Sequence, residues 1–336
     1  MKPNLNKILK YLLSAALAAV LLWFSFRGVK WEDFMLQLQQ CNWGFVFLSM
    51  AAGSVAFWLR GLRWRRLLLP LDPSISRVTA FNGINVGNIS NFVFPRIGEF
   101  VRCGVIVRRS EPEDPSEPLK KKASYEKVLG TVVVERSWEL LVMLLLLAVV
   151  VVGGFSRYGA FFVNEIWNPM AQKLGVGVWL IFAGILVLAV AAVYLLWRLR
   201  DENKFCNKVW SVFRGLGQGL SSCLRMDRKW LFFADTLMVW AMYWLMAASI
   251  MWAAPFLEGL TLVDALFLSL VGGLGFAVPV PGGIGAFHYV ISLALWGVYG
   301  IPMEMGIIYA TLSHTAQAIT QIVFGLGSYA YESIKR

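Results

Sequence analysis

Residues 78–107 form one apolar stretch that Pro95 cuts in half. Polar residues crowd the cut: Asn85, Asn88, Ser90 and Asn91 before it, Arg96, Gly98, Glu99 and Arg102 after it. Proline ends a helix because it lacks a backbone N–H and clashes with the preceding turn. Basic clusters lie on both sides: Arg60, Arg63, Arg65, Arg66 and Arg77 before the stretch, Arg108, Arg109 and Lys120 to Lys122 after it. An apolar segment broken at its centre, with like charge at both ends, predicts a re-entrant hairpin. It enters a membrane from the cytoplasm, turns at Pro95 and returns. Non-helical backbone and ionisable groups at membrane depth are tolerated only where protein or a wet cavity surrounds them. The hairpin is therefore the first candidate for a functional site.

The rest of the chain supplies the membrane. Hydrophobic residues make up 58% of 336, above the roughly 45–50% of soluble domains. Apolar segments fall near 8–26, 43–69, 78–107, 128–153, 177–197, 230–253, 262–299 and 305–331. Most reach the ~20 residues a spanning helix needs. The net charge of +11 does not point to nucleic acid, because the Lys and Arg residues concentrate in alternate loops, the positive-inside pattern. Counting them places 60–77, 108–127 and 198–229 inside, and 27–42, 154–176 and 300–304 outside. Both termini are then cytoplasmic, and the membrane is the cytoplasmic (inner) one. Lys2, Lys7 and Lys10 precede an apolar run too long for a signal peptide, so 8–26 reads as an uncleaved first helix. An amphipathic surface helix is expected around 205–225.

A second broken segment, 262–299, carries Gly272-Gly273-Leu274-Gly275 and Pro279-Val280-Pro281-Gly282-Gly283-Ile284-Gly285 at its centre. Its flanks lack basic residues, so it enters from outside. The fold expectation is an all-α polytopic membrane protein in a single transmembrane domain, 1–336. About six full spans and two opposed re-entrant helical hairpins, 78–107 and 262–299, form an inverted repeat with halves near 1–153 and 177–336. Paired interrupted segments of this kind point to a transporter site at the midplane.

Several residues could carry chemistry. Asn85, Asn88 and Asn91 are spaced by three and share one helix face. Glu99 and Arg102 are also three apart and able to pair. With Arg96 and the half-helix N-termini at the break, the arginines could hold a phosphate oxygen; the alternative is an ion pair that only locks the hairpin. Gly282 and Gly283 allow close backbone approach, either to a ligand or to a packed helix. His288 is either a titrating group or a satisfied structural one. Glu135, Arg136 and Glu139 lie within the 128–153 segment, where they bind a cationic group, line a route or pair with a neighbouring helix. Thr311, His314, Gln317, Thr320 and Gln321 make a polar stripe on the last helix, for cavity lining or interhelical hydrogen bonding. Cys41, Cys103, Cys206 and Cys223 show no paired spacing, and with only two histidines no disulfide, metal centre or cofactor is expected. No nucleophile elbow, P-loop, HExxH or dinucleotide fingerprint is present.

At Asn88-x-x-Asn91-x-x-x-Pro95-Arg96-x-Gly98-Glu99-x-x-Arg102, with Glu135-Arg136 and Pro281-Gly282-Gly283-Ile284-Gly285, nearly the whole chain resembles the lysylphosphatidylglycerol synthase transmembrane-region family. That resemblance implies a flippase-like module with two re-entrant elements. In bifunctional relatives it precedes a soluble aminoacyl-transferase domain, which these residues do not contain, so synthase activity is not carried over. Relatives carry Glu a few residues after the Pro-Gly-Gly motif; here Phe287-His288 stands at about that place, and His288 is the candidate replacement.

The expected function is a flippase for an anionic or zwitterionic lipid, working by alternating access. Arg96, Glu99 and Arg102 hold the headgroup, Asn88 and Asn91 are hydrogen-bond partners, and Glu135 and Arg136 form a second charged layer. The expected partner is a membrane phospholipid. Two alternatives stand beside it: a membrane enzyme acting on a lipid phosphate through Glu99 and His288, or a scaffold for a lipid-modifying enzyme. Homo-oligomerisation is left open.

Overall fold

A computed structural model describes residues 31–112, 122–175, 177–199 and 229–334, with isolated positions at 16, 19, 20, 22, 23, 203, 206, 207 and 210. The expected helix at 8–26 lies almost wholly outside the described residues. So do the expected surface helix at 205–225, residues 113–121, the C-terminal pair 335–336, and Cys223. Cys41, Cys103 and Cys206 are buried free thiols.

The described chain is helical. In order come α1 (Trp31–Gln40), α2 (Trp43–Leu68), α3 (Arg77–Val93), α4 (Gly98–Arg109) and α5 (Tyr125–Gly153). A π-helical stretch follows, then α6 (Asn168–Leu174), α7 (Gly177–Arg198), α8 (Lys229–Ala253), α9 (Leu262–Ala277), α10 (Ala286–Tyr299) and α11 (Met303–Ile334). Among the described residues, four stretches are long and apolar enough to cross a membrane: α2, α5, α8 and Pro281–Tyr299. The last contains a turn, and its continuous α-helix α10 has 14 residues, about 21 Å at 1.5 Å per residue. A hydrocarbon core is about 30 Å thick. The 27–42 segment, expected as a loop, holds the ten-residue helix α1.

Both broken segments fold as helix, break, helix. In the first, α3 starts at a Ser76 cap that accepts from the Thr79 amide and stops at Phe94. After Pro95 the backbone of Arg96 is left-handed, φ 64°, a conformation that costs an L-residue roughly 1–2 kcal/mol. Asn91 then caps the next helix across the turn, its Oδ1 accepting from the Gly98 amide at 2.7 Å. The arms touch backbone to backbone. A Cβ on Gly98 would fall 2.0 Å from the Gly87 carbonyl oxygen, so only glycine fits.

In the second hairpin, α9 opens on a reciprocal capping box between Thr261 and Asp264. The break holds Gly282, Gly283 and Gly285 at positive φ. Aromatic rings press on these glycines: Phe92 on Gly282, Phe276 on Gly283. This favours the packing reading of the Gly-rich turn.

The hairpins meet at their tips. Arg96 Nη2 donates to the carbonyl of Ala277, the last residue of α9, at 2.8 Å. The ring of Phe92 rests on the Pro281–Gly283 turn. Two cores flank the junction. One gathers Trp64, Leu67, Ile84, Cys103, Ile106 and Val128 around the first hairpin. The other gathers Phe267, Leu268, Ile291, Leu295, Ile307 and Tyr309 around the second.

The bases are tied separately. Buried Asp72, just before α3, accepts from the Ser74 amide and hydroxyl, the Ser110 hydroxyl and the Glu111 amide, so it staples the two ends of the first hairpin. Glu332 of α11 accepts from Asn82 at 2.8 Å and Arg109 at 2.7 Å. At the second hairpin, Tyr158 donates to Asp264 at 2.6 Å, with Arg157 3.4 Å from the same oxygen.

These contacts set two expectations. Gly98→Ala forces backbone against backbone and lowers the melting temperature sharply. Gly104→Ala on the same helix meets nothing within 4 Å and stabilises by up to ~1 kcal/mol; thermal unfolding in detergent compares them. Burial pushes the Asp72 carboxyl up, but hydrogen bonds from Ser110, Ser74 and Glu111 outweigh it and hold it below its ordinary value. A depressed carboxylate adds stability above the unfolded value, about 3.9, and loses it as pH falls through the folded value. The melting-temperature gap between wild type and Asp72→Asn is therefore full at pH 6 and shrinks below pH 4.

Candidate functional site

Arginines and glutamates from three helices interlock below the first hairpin. Arg60 and Arg63 come from α2, Glu99 and Arg102 from α4, and Glu135, Arg136 and Glu139 from α5. Glu135, fully buried, takes Arg102 Nη1 at 2.6 Å on one oxygen and Arg63 Nη2 at 3.5 Å on the other. Arg63 also reaches Glu139 at 3.5 Å. Arg136 spans Glu139 at 2.9 Å and Glu99 at 3.4 Å. The Arg102 guanidinium lies 4.6 Å from the Trp64 ring centre, and Trp64 donates to Thr131 at 3.0 Å. Charges this deep persist only when paired, because desolvating an ion costs several kcal/mol.

Two sequence expectations change. Glu99 and Arg102 do not pair with each other. Tertiary packing sends Arg102 to Glu135 and Glu99 to Arg136, both on α5. Arg60 and Arg63, counted as a cytoplasmic basic flank, are buried inside α2, 7% and 0% exposed. Arg65 and Arg66 lie at the end of α2, bonding the Ile75 carbonyl and Asp235, and Arg77 is exposed at the start of α3.

Above this network a cavity of about 510 Å³ runs between the hairpins, inside the ~300–1,000 Å³ range of small-molecule sites. Arg60, Asn88, Asn91, Glu99, Arg136 and Glu139 give its lining a charged and amide-rich part. Met143, Trp240, Leu268, Phe276, Phe287 and Ile291 give it an apolar part, continuous with the second core. Gln317 and Gln321 add amides from α11.

Of the residues singled out from sequence, Asn88, Asn91, Arg96, Glu99, Arg136, Gly282 and Gly283 line this cavity. Arg102 and Glu135 lie behind the wall as a buried pair. His288 is buried, 5% exposed, with its ring 5.0 Å from that of His314. His314 Nε2 bonds the Gly282 carbonyl at 2.9 Å, an interhelical bond, whereas Gln317 and Gln321 of the same polar stripe face the cavity. Asn85 turns back to its own helix, donating to the Phe81 carbonyl. Sequence reasoning missed Arg60, Tyr243 and Trp240 as lining residues. A signal existed for Arg60: it sits inside a 26-residue helix, three positions from Arg63 and four from Trp64, so all three share a face. Among the described residues, no group of three His, Cys, Asp or Glu side chains is placed to hold a metal ion.

Neutralising Glu135 strands two buried guanidinium groups. Glu135→Gln is expected to cost about 3–5 kcal/mol. Glu126→Gln, in the exposed first turn of the same helix, stays within about 0.5 kcal/mol. Chemical or thermal unfolding of the purified variants measures both.

Comparison with curated proteins and with solved structures gives no match. The family model of the lysylphosphatidylglycerol synthase TM region matches residues 11–325. Its span takes in both hairpins, the charged network and the cavity between them, and the chain belongs to that family of multi-pass membrane proteins.

Proposed function

We propose that the protein moves a phospholipid, or a related anionic lipid, between the leaflets of the cytoplasmic membrane. The observation that carries this reading is the cavity at the meeting point of the hairpins, whose lining combines charged and amide groups with apolar side chains. A lipid is an amphiphile and needs both. Family membership, in a transmembrane region associated with lipid synthesis, points the same way.

In this reading the hairpins are re-entrant and enter from opposite faces, six helices cross fully, and both termini are cytoplasmic. The short arms support it: α4 has 12 residues, about 18 Å. The headgroup sits against Arg60, Asn88, Asn91, Glu99 and Arg136, and the chains lie along the apolar part of the lining. Arg102 and Glu135 hold the wall from behind and do not touch lipid. Arg96 joins the tips, and separation of the tips exposes the site to alternate sides. No chemical step is assigned to the protein; its role is to lower the barrier to crossing.

The test is dithionite bleaching of a fluorescent phospholipid in proteoliposomes. Wild-type protein should take bleaching past the outer-leaflet half. Ser269→Trp, placed on the cavity wall, should slow it at least about tenfold, the equivalent of ~1.4 kcal/mol on the barrier. Movement no faster than in empty liposomes sinks the reading, and so does mass-spectrometric detection of a chemically altered lipid.

A further inference from the structure

The buried network does not balance. Arg60, Arg63, Arg102 and Arg136 face Glu99, Glu135 and Glu139, leaving one positive charge over. Three of these arginines have carboxylate partners: Arg63 and Arg102 with Glu135, and Arg136 with Glu99 and Glu139. Arg60 makes no ion pair, its Nε lacks any hydrogen-bond partner, and it is 7% exposed. It lines the cavity. Glu139, Glu135 and Glu99 act on its charge from beyond ion-pair distance, so the guanidinium stands charged at the cavity wall without a direct carboxylate contact.

Other orphaned atoms surround the same space. Asn88 Nδ2 and Arg136 Nε are buried donors with nothing to donate to, and Glu99 Oε2 is a buried acceptor with nothing to accept. All four residues line the cavity. Three of these atoms are donors and one is an acceptor, so this part of the wall favours a group that accepts hydrogen bonds.

We infer that Arg60 is the anion-binding residue of the cavity, and that it takes a phosphate oxyanion carrying one net negative charge. Resting on the proposed lipid reading, this adds a charge rule to it. A monoanionic phosphodiester restores four against four, whereas a zwitterionic headgroup leaves the surplus standing. The guanidinium fork suits two phosphate oxygens at once, with the Asn88 amide beside it. Free phosphate offers the same chemistry, so the two sources must be told apart.

Calorimetric titration of the full-length protein in detergent does this with three probes: dihexanoylphosphatidylmethanol, net charge −1; dihexanoylphosphatidylcholine, net charge zero; and inorganic phosphate. Wild type should bind the monoanion at least about tenfold tighter than the zwitterion, as expected of a charge-assisted pair. Arg60→Gln should bring that ratio close to one, and Arg60→Lys, which keeps the charge but loses the fork, should fall between. An unchanged ratio in Arg60→Gln, or no preference in wild type, overturns the inference. Arg60→Gln should keep the wild-type fold, read from its helical circular dichroism and its gel-filtration profile in detergent; loss of the fold marks Arg60 as structural support and also overturns the inference. Inorganic phosphate binding as tightly as the monoanionic lipid, with the same Arg60 dependence, upholds the anion site and sinks the lipid reading. Lipid movement absent while the charge preference persists does likewise.

Discussion

Glu135 is the carboxylate on which the first half of the molecule hangs. It sits fully buried on α5 and binds Arg63 of α2 and Arg102 of α4. Those bonds fix the returning arm of the first hairpin to two long helices. Without them α4, only 12 residues long, would have a small apolar contact and no charge register. Trp64 completes the seam, its ring under the Arg102 guanidinium and its indole N–H on Thr131 of α5. The cavity wall above inherits its shape from this arrangement, since Glu99 lies one turn from Arg102 and Arg136 directly follows Glu135 on the same two helices.

The two hairpins use different means to make a sharp turn inside a packed interior. The first uses one proline, one arginine in a left-handed conformation and an asparagine that satisfies the next helix start. The second uses three positive-φ glycines covered by phenylalanines. In each case the freed backbone groups find partners: Gly98 N–H on Asn91, the Gly282 carbonyl on His314 and the Ala277 carbonyl on Arg96. Breaks satisfied in this way leave those backbone groups bonded within the protein, as buried irregular backbone requires.

Much of the architecture was legible because it rests on local rules. Pro95 and the Pro281-Gly282-Gly283 run announce both breaks; the second pair of arms keeps the limits 262–299, and the first runs from Arg77 to Arg109 against the expected 78–107. Partner choice was not legible. The spacing of Glu99 and Arg102 permits an ion pair on one helix, but α5 presents better-placed charges, and sequence spacing carries no information about a neighbour 33 residues away. Arg60 was misread for a related reason. Counting Lys and Arg near a helix end treats each as solvated, whereas α2 continues for 26 residues and carries Arg60 and Arg63 into the bundle. Asp72 was overlooked because a single acidic residue in a short connection looks like an ordinary turn until Ser110 and Glu111 are brought to it.

The unequal fastening of the first hairpin has a mechanical consequence. Its base is stapled by Asp72 with four hydrogen bonds and clasped by Glu332, while its tip is held to the second hairpin by the exposed Arg96–Ala277 bond and the Phe92 ring. One hydrogen bond contributes about 0.5–1.5 kcal/mol net, little more than thermal energy. The element is thus anchored at its base and along its length, where Arg102 and Glu99 are tied to α5, and only lightly latched at its tip. Any parting of the tips is therefore confined to the turn, where release of Arg96 removes the constraint that holds its backbone in an unfavourable conformation.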